Sequence, residues 1–111
     1  MRPIIEKMNI NALIKEIKRP WHPIEVIRVN NQVIRLAMFK GSYPVHKHSN
    51  EDELFFVYKG KIVIQIENES KVVLKQGEMV VVPKGKNHSP SSKLESYVLM
   101  FEPHSLKSTG D

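Results

Sequence analysis

The sequence predicts an all-β domain, a small antiparallel sandwich or barrel with one short helix in front of it. Three observations carry that reading. Seven short runs rich in β-branched and aromatic residues follow one another, at 24–29, 32–39, 54–58, 62–66, 72–74, 79–82 and 97–101. Each run ends on turn residues: Asn30-Asn31, Gly41, Lys59-Gly60-Lys61, Asn68-Glu69-Ser70, Gln76-Gly77, Pro83-Lys84-Gly85 and Pro103. No helical period intervenes between them, and strands so spaced, without helices, read as antiparallel all-β structure.

The helix comes first. Ile10, Leu13, Ile14 and Ile17 recur at i, i+3, i+4 and i+7, one apolar stripe within residues 9–19. Asn9 suits the N-cap. Lys15, Lys18 and Arg19 load the C-terminal end, as the helix dipole favours, and Pro20 stops it. The chain therefore divides into an N-terminal helical extension, 1–23, a β-barrel domain, 24–103, and a polar, flexible C-terminal tail, 104–111. It contains no internal repeat, low-complexity segment or linker.

At 111 residues the chain has the length of one domain, long enough for a core without staples. It has no cysteine, which removes disulfides, thiolate metal sites, cysteine nucleophiles and iron–sulfur clusters from consideration. No apolar run approaches the roughly 18 residues of a membrane span. The start, Met1-Arg2-Pro3-Ile4-Ile5-Glu6-Lys7, lacks the apolar stretch of a signal peptide. A cytoplasmic location is expected. The net charge is +5, from 17 Lys+Arg against 12 Asp+Glu. Its lysines are scattered and sit beside turns, where they serve solubility and block edge pairing. With no helix-turn-helix pattern, RNA-reading strand or Arg-rich tract, neither nucleic acid nor membrane is an expected partner.

The chemistry lies in the histidines. His46 and His48 are two apart, so on extended backbone both imidazoles face the same side. Glu53 opens an otherwise apolar strand, an expensive place for an unpartnered charge. His88 follows the Pro83-Lys84-Gly85 turn. Three neutral imidazoles and a carboxylate suit a first-row transition metal such as Fe, Mn, Ni or Zn better than Mg or Ca. Glu51 is an alternative carboxylate, but parity favours Glu53, which shares a strand face with Phe55 and Val57. Lys47, of opposite parity, faces solvent, and His22 and His104 match no motif.

The spacings His46-x-His48-x4-Glu53-x6-Gly60 and Gly77-x5-Pro83-x-Gly85-x2-His88 resemble the first and second cupin motifs. With the strand count, they resemble a small single-domain cupin of the conserved-barrel type over about residues 33–102. Gly41 stands one residue closer to the histidine pair than in the usual pattern, and Ser92 replaces an asparagine often found after the last histidine. The resemblance implies a double-stranded β-helix, or jelly roll. It places metal ligands on His46, His48, Glu53 and His88, pointing into the barrel.

Cupins with this ligand set include dioxygenases, oxalate-type manganese enzymes, isomerases and proteins without assigned activity. Three readings follow. One is a metal-dependent enzyme, of dioxygenase or lyase type, on a small oxygenated metabolite. Another is a sugar or sugar-phosphate isomerase or epimerase, similar to mannose-6-phosphate isomerase. The third is a non-catalytic metal or small-ligand binding module. Arg35, in the mostly apolar stretch 33–37, is a candidate substrate residue if it points inward, as a bidentate fork for a carboxylate or phosphate. Met38, Phe39, Met79, Tyr97, Leu99, Met100 and Phe101 are barrel residues whose facing the sequence leaves open. Small cupins are usually dimers, and runs 24–29 and 32–39 offer edges that a homodimer would cover.

Overall fold

The computed structural model describes residues 5–111. Asn9 caps helix α1, Ile10–Ile14, its side chain accepting from the Ala12 N–H at 3.1 Å. The helix is shorter than the apolar stripe suggested. After Ile14 the chain continues in tighter turns, with the Ile17 N–H bonded to the Ile14 carbonyl at 3.1 Å. No residue of α1 is buried, so little packing energy exists to extend a helix this short. Among the described residues, no helix is long and apolar enough to cross a membrane.

Seven strands follow: β1 Ile24–Val29, β2 Gln32–Ser42, β3 Glu53–Lys59, β4 Lys61–Ile66, β5 Val72–Lys75, β6 Met79–Val82 and β7 His88–Pro103. All pairings are antiparallel. One face runs β1-β2-β7-β3-β6, while β4 pairs with β5 and with β7. The long strand β7 is thus shared. Its C-terminal half lies between β2 and β3, and its first residues, His88–Ser91 in register, pair with β4. A strand shared between two facing sheets closes them into the jelly-roll barrel, the double-stranded β-helix.

Alternation decides the inside. In β3, Glu53, Phe55 and Val57 are buried while Leu54, Phe56 and Tyr58 are only partly so. In β4 the buried residues are Ile62, Ile64 and Ile66. These meet Ala37 and Phe39 of β2, Leu74 of β5, Val82 of β6 and Val98 and Met100 of β7 in one core.

Strand β7 begins nine residues before the run at 97–101, although its first part, Ser89-Pro90-Ser91-Ser92-Lys93, has no local strand preference. Pairing holds it extended. The Tyr43 N–H bonds to the Pro90 carbonyl at 2.9 Å, and proline has no N–H to lose there. Where β7 turns the corner between sheets, the Ser92 and Ser96 hydroxyls lie 2.8 Å apart and both donate to the Lys61 carbonyl at 3.0 Å. Gly60, at φ +99°, makes the β3–β4 turn against this corner, and a Cβ there would overlap Ser96.

Residues 104–111 lie back on the barrel, where the sequence suggested a loose tail. Leu106 is 3% exposed. The Ser49 N–H donates to Asp111 Oδ1 at 2.8 Å, and the Asp111 N–H donates to the Lys47 carbonyl at 3.0 Å. One buried leucine among polar residues is too small a signal to read from sequence.

Candidate metal centre

His46 and His88 exchange both backbone hydrogen bonds, at 3.0 and 2.8 Å. Opposed in this way, they project from the same face, and their ring centroids lie 4.4 Å apart. His48, two residues along, falls on that face by parity. Its carbonyl accepts from the Gly85 N–H at 2.8 Å, which ties it to the turn before His88. Glu53 enters from β3, opposite Val82. One ligand atom from each of the four residues can be chosen so that all lie within 4.8 Å of one another. His48, Glu53 and His88 are buried and His46 is half-buried.

The donor atoms fit a cation. His46 Nδ1 lies 2.9 Å from the Pro44 carbonyl and His88 Nδ1 lies 2.9 Å from the Lys86 carbonyl. A carbonyl only accepts, so each Nδ1 carries the proton and each Nε2 presents its lone pair, the arrangement a ligating histidine needs. Among the described residues, five buried side-chain polar atoms lack a hydrogen-bond partner. Four belong to this cluster: His48 Nδ1 and Nε2, Glu53 Oε1 and His88 Nε2. Glu53 Oε1 is 3.2 Å from His48 Nε2 and 3.7 Å from His88 Nε2, close but not aligned as hydrogen bonds. Buried polar groups are rarely left unsatisfied, and atoms converging on one point mark a site for an ion.

The electrostatics agree. Burial would raise the Glu53 carboxyl, but His48, His88 and Glu102 beside it outweigh burial and hold it below the usual carboxylate range. Burial lowers His46, reinforced by its neighbours His88 and His48, so it stays a neutral imidazole. Metal binding requires these forms, an ionised carboxylate and unprotonated rings.

Arg35 also points inward, and its partners are on the protein. It bonds Glu102 Oε2 at 2.6 Å, the Leu106 carbonyl at 2.9 Å and the His104 carbonyl at 3.1 Å. Its side chain is 11% exposed and that of Glu102 0%. Burial, and then the Glu53 carboxylate alongside, push Glu102 up to about 9 against the pull of Arg35. Glu102 therefore holds its proton at neutral pH, and Arg35 with Glu53 makes the buried group neutral overall. Glu102 escaped the sequence reading because the last apolar run ends at Phe101. Its signal was parity, since it shares the inward face with Val98 and Met100.

Over the cluster lies a cavity of about 40 Å³. Trp21, Phe39, Tyr43, Phe55 and Met100 form its apolar walls, and His46, Glu53 and Ser108 also line it. Trp21, at φ +65°, packs on Phe39 with centroids 4.4 Å apart, and its indole N–H donates to the Lys40 carbonyl at 2.8 Å. Of the barrel residues whose facing was open, Phe39 and Met100 line this cavity, whereas Met79 and Phe101 are exposed on the outside. His22 is exposed, and His104 sits at the surface 2.9 Å from Glu25. Glu51 is half-buried and accepts from the Ser105 hydroxyl at 3.1 Å, outside the cluster.

Comparison with known proteins agrees with this architecture. The uncharacterised protein YdbB of Bacillus subtilis is 33% identical over 94 residues, which span 85% of this chain and 83% of YdbB. A crystallised cupin-2 domain protein from Shewanella frigidimarina superposes with a TM-score of 0.83 at 30% identity, over 86% of this chain and 93% of that one. Hydroquinone 1,2-dioxygenase from Sphingomonas shares the fold, with a TM-score of 0.80 at 17% identity. That match spans 95% of this chain and 37% of the dioxygenase. The family model of the cupin domain matches residues 34–101, and on the motifs, the barrel and these matches the chain belongs to the cupin family.

Proposed function

We propose that the protein is a metal-dependent cupin enzyme, of dioxygenase or lyase type, acting on a small oxygenated metabolite. One observation supports this above the others: His48, Glu53 and His88 each bring an unsatisfied buried atom to one cluster with His46, beside an apolar cavity. A divalent transition metal bound there supplies Lewis acidity toward an oxygen of the ligand. The chain does the rest. Pro44 and Lys86 fix the imidazole tautomers, Glu53 contributes the negative charge, and the aromatic walls exclude water.

The sugar-phosphate reading has less support. No lysine or arginine is among the described walls of the cavity, and Arg35 already serves Glu102 and two carbonyls. The Sphingomonas fold neighbour, solved with 4-hydroxybenzoate bound, makes hydroxylated aromatics a sensible first panel.

Elemental analysis of natively purified protein tests the metal reading. Near-stoichiometric Fe, Mn, Ni or Zn in the wild type, lost in His48→Ala, is expected. A wild type that neither carries nor binds any of these metals overturns it. Dioxygen uptake with the metal-loaded protein and a panel of hydroxylated aromatics then tests the dioxygenase branch. A homodimer, formed through the sheet edge at β1 where Ile27 and Val29 stand exposed, is part of the same proposal.

A further inference from the structure

The cavity at the metal centre has walls from the barrel strands, from Trp21, Pro23 and Tyr43 beside them, and from the C-terminal segment. Ala37, Phe39, Phe55 and Met100 belong to barrel strands and are buried in the core. Ser108 comes from residues 105–111, which lie beyond the matched cupin domain and are attached differently. At their root, Leu106 is buried and Arg35 holds the His104 and Leu106 carbonyls. Past Leu106, the described ties to the barrel are hydrogen bonds between Asp111 and the segment that carries two of the histidines. The Asp111 carboxylate accepts from the Ser49 N–H, and its own N–H donates to the Lys47 carbonyl. Both Ser49 and Asp111 are exposed. The segment is thus hinged at a buried leucine and latched at the far end by bonds that water can replace.

The latch is closely fitted. Gly110 has φ +90°, and a Cβ there would come within 2.9 Å of the His46 Cβ and 2.8 Å of the Lys47 carbonyl oxygen. Only glycine lets the segment seat against a residue of the metal centre. With it seated, the cavity measures about 40 Å³. A cavity that encloses benzene measures about 150 Å³, so the seated form does not enclose a ring.

We infer that residues 105–111 are a strap that sets the ligand size accepted at the metal centre, with Gly110 and Asp111 as its latch. Seated, it restricts the centre to small ligands. Lifted, it uncovers the aromatic walls and admits a ring. The inference rests on the four-residue cluster being a ligand-binding centre, and its test separates the two ideas.

The probes are imidazole and 4-phenylimidazole, titrated into Co²⁺-loaded protein and read by visible absorption. Asp111→Ala unlatches the strap without touching a metal ligand, whereas Gly110→Ala does so by pressing a methyl group against His46, and far-UV circular dichroism checks that both fold. The expected result is at least a tenfold gain in affinity for 4-phenylimidazole, with imidazole binding changed less than twofold. Equal shifts for both probes, or none, in folded variants overturn the strap. If the wild type takes up no cobalt, the metal reading fails and the strap is decided on metal-free protein. Trp21 is the chain's single tryptophan and shares the cavity with Ser108. Its acrylamide quenching should at least double in both variants, and unchanged quenching refutes the strap.

Discussion

Replacing Arg35 with methionine is the most informative perturbation of the barrel itself. The guanidinium is 11% exposed, Glu102 is fully buried, and their bond is 2.6 Å long. The change strands a buried carboxyl and removes the donors to two carbonyls at 2.9 and 3.1 Å. Leaving a buried hydrogen-bonding group without its partner costs about 1–3 kcal/mol. Glu102 keeps its proton at neutral pH, so the stranded groups are a neutral carboxyl and two carbonyls, about 3 kcal/mol together. At about 4 °C per kcal/mol for a domain of this size, the melting temperature should fall by roughly 12 °C. The double variant Arg35→Met, Glu102→Leu replaces both partners by apolar groups, which is near neutral when the packing is kept. It should recover about 2 kcal/mol of the loss. Urea unfolding of the metal-free wild type, both single variants and the double variant measures the cycle. An Arg35→Met cost within about 1 kcal/mol of zero, or a double variant as costly as the two singles summed, would refute the reasoning.

Other outcomes follow from the same geometry. Glu102 is raised when folded, so the native state holds a proton that the unfolded chain has released. Stability should be fullest below about pH 4.5 for this group and fall as pH rises toward about 9, with a slope of up to ~1.4 kcal/mol per pH unit. Glu102→Gln should flatten that decline in metal-free protein; an unchanged slope would assign it to another group. Added Co²⁺ or Zn²⁺ should stabilise the wild type by about 2.7 kcal/mol at a hundredfold excess over the dissociation constant, and thermal shift assays should show no such gain for His88→Ala. Light scattering at micromolar concentration should give twice the chain mass, and Val29→Lys on β1 should shift it toward monomer. A wild-type monomer would remove the edge-pairing proposal.

The amino-acid order by itself determines a good deal here. Strands β1 and β6 run between the residues that the apolar pattern marks, 24–29 and 79–82. The motif spacing names the four residues that the barrel brings within 4.8 Å. Both are local signals, since strand alternation and an i, i+2 histidine pair need only extended backbone to be read. Parity also places Glu53, rather than Glu51, on the inner face.

The tertiary structure decided what depends on partners distant in sequence. Strand β7 reaches back to His88 because β2 and β4 hold a serine- and proline-rich stretch extended, against its local preference. Helix α1 ends at Ile14 because its stripe is only half-buried. Arg35 faces Glu102, 67 residues away, so its inward position braces the barrel and the tail. The walls above the metal centre come partly from Trp21 and Ser108, outside the matched domain at both ends. A residue's spacing reveals which face of a strand it takes, whereas its chemical employment depends on what folding places opposite it. In this chain the four candidate ligands show the first, and Arg35 and residues 105–111 show the second.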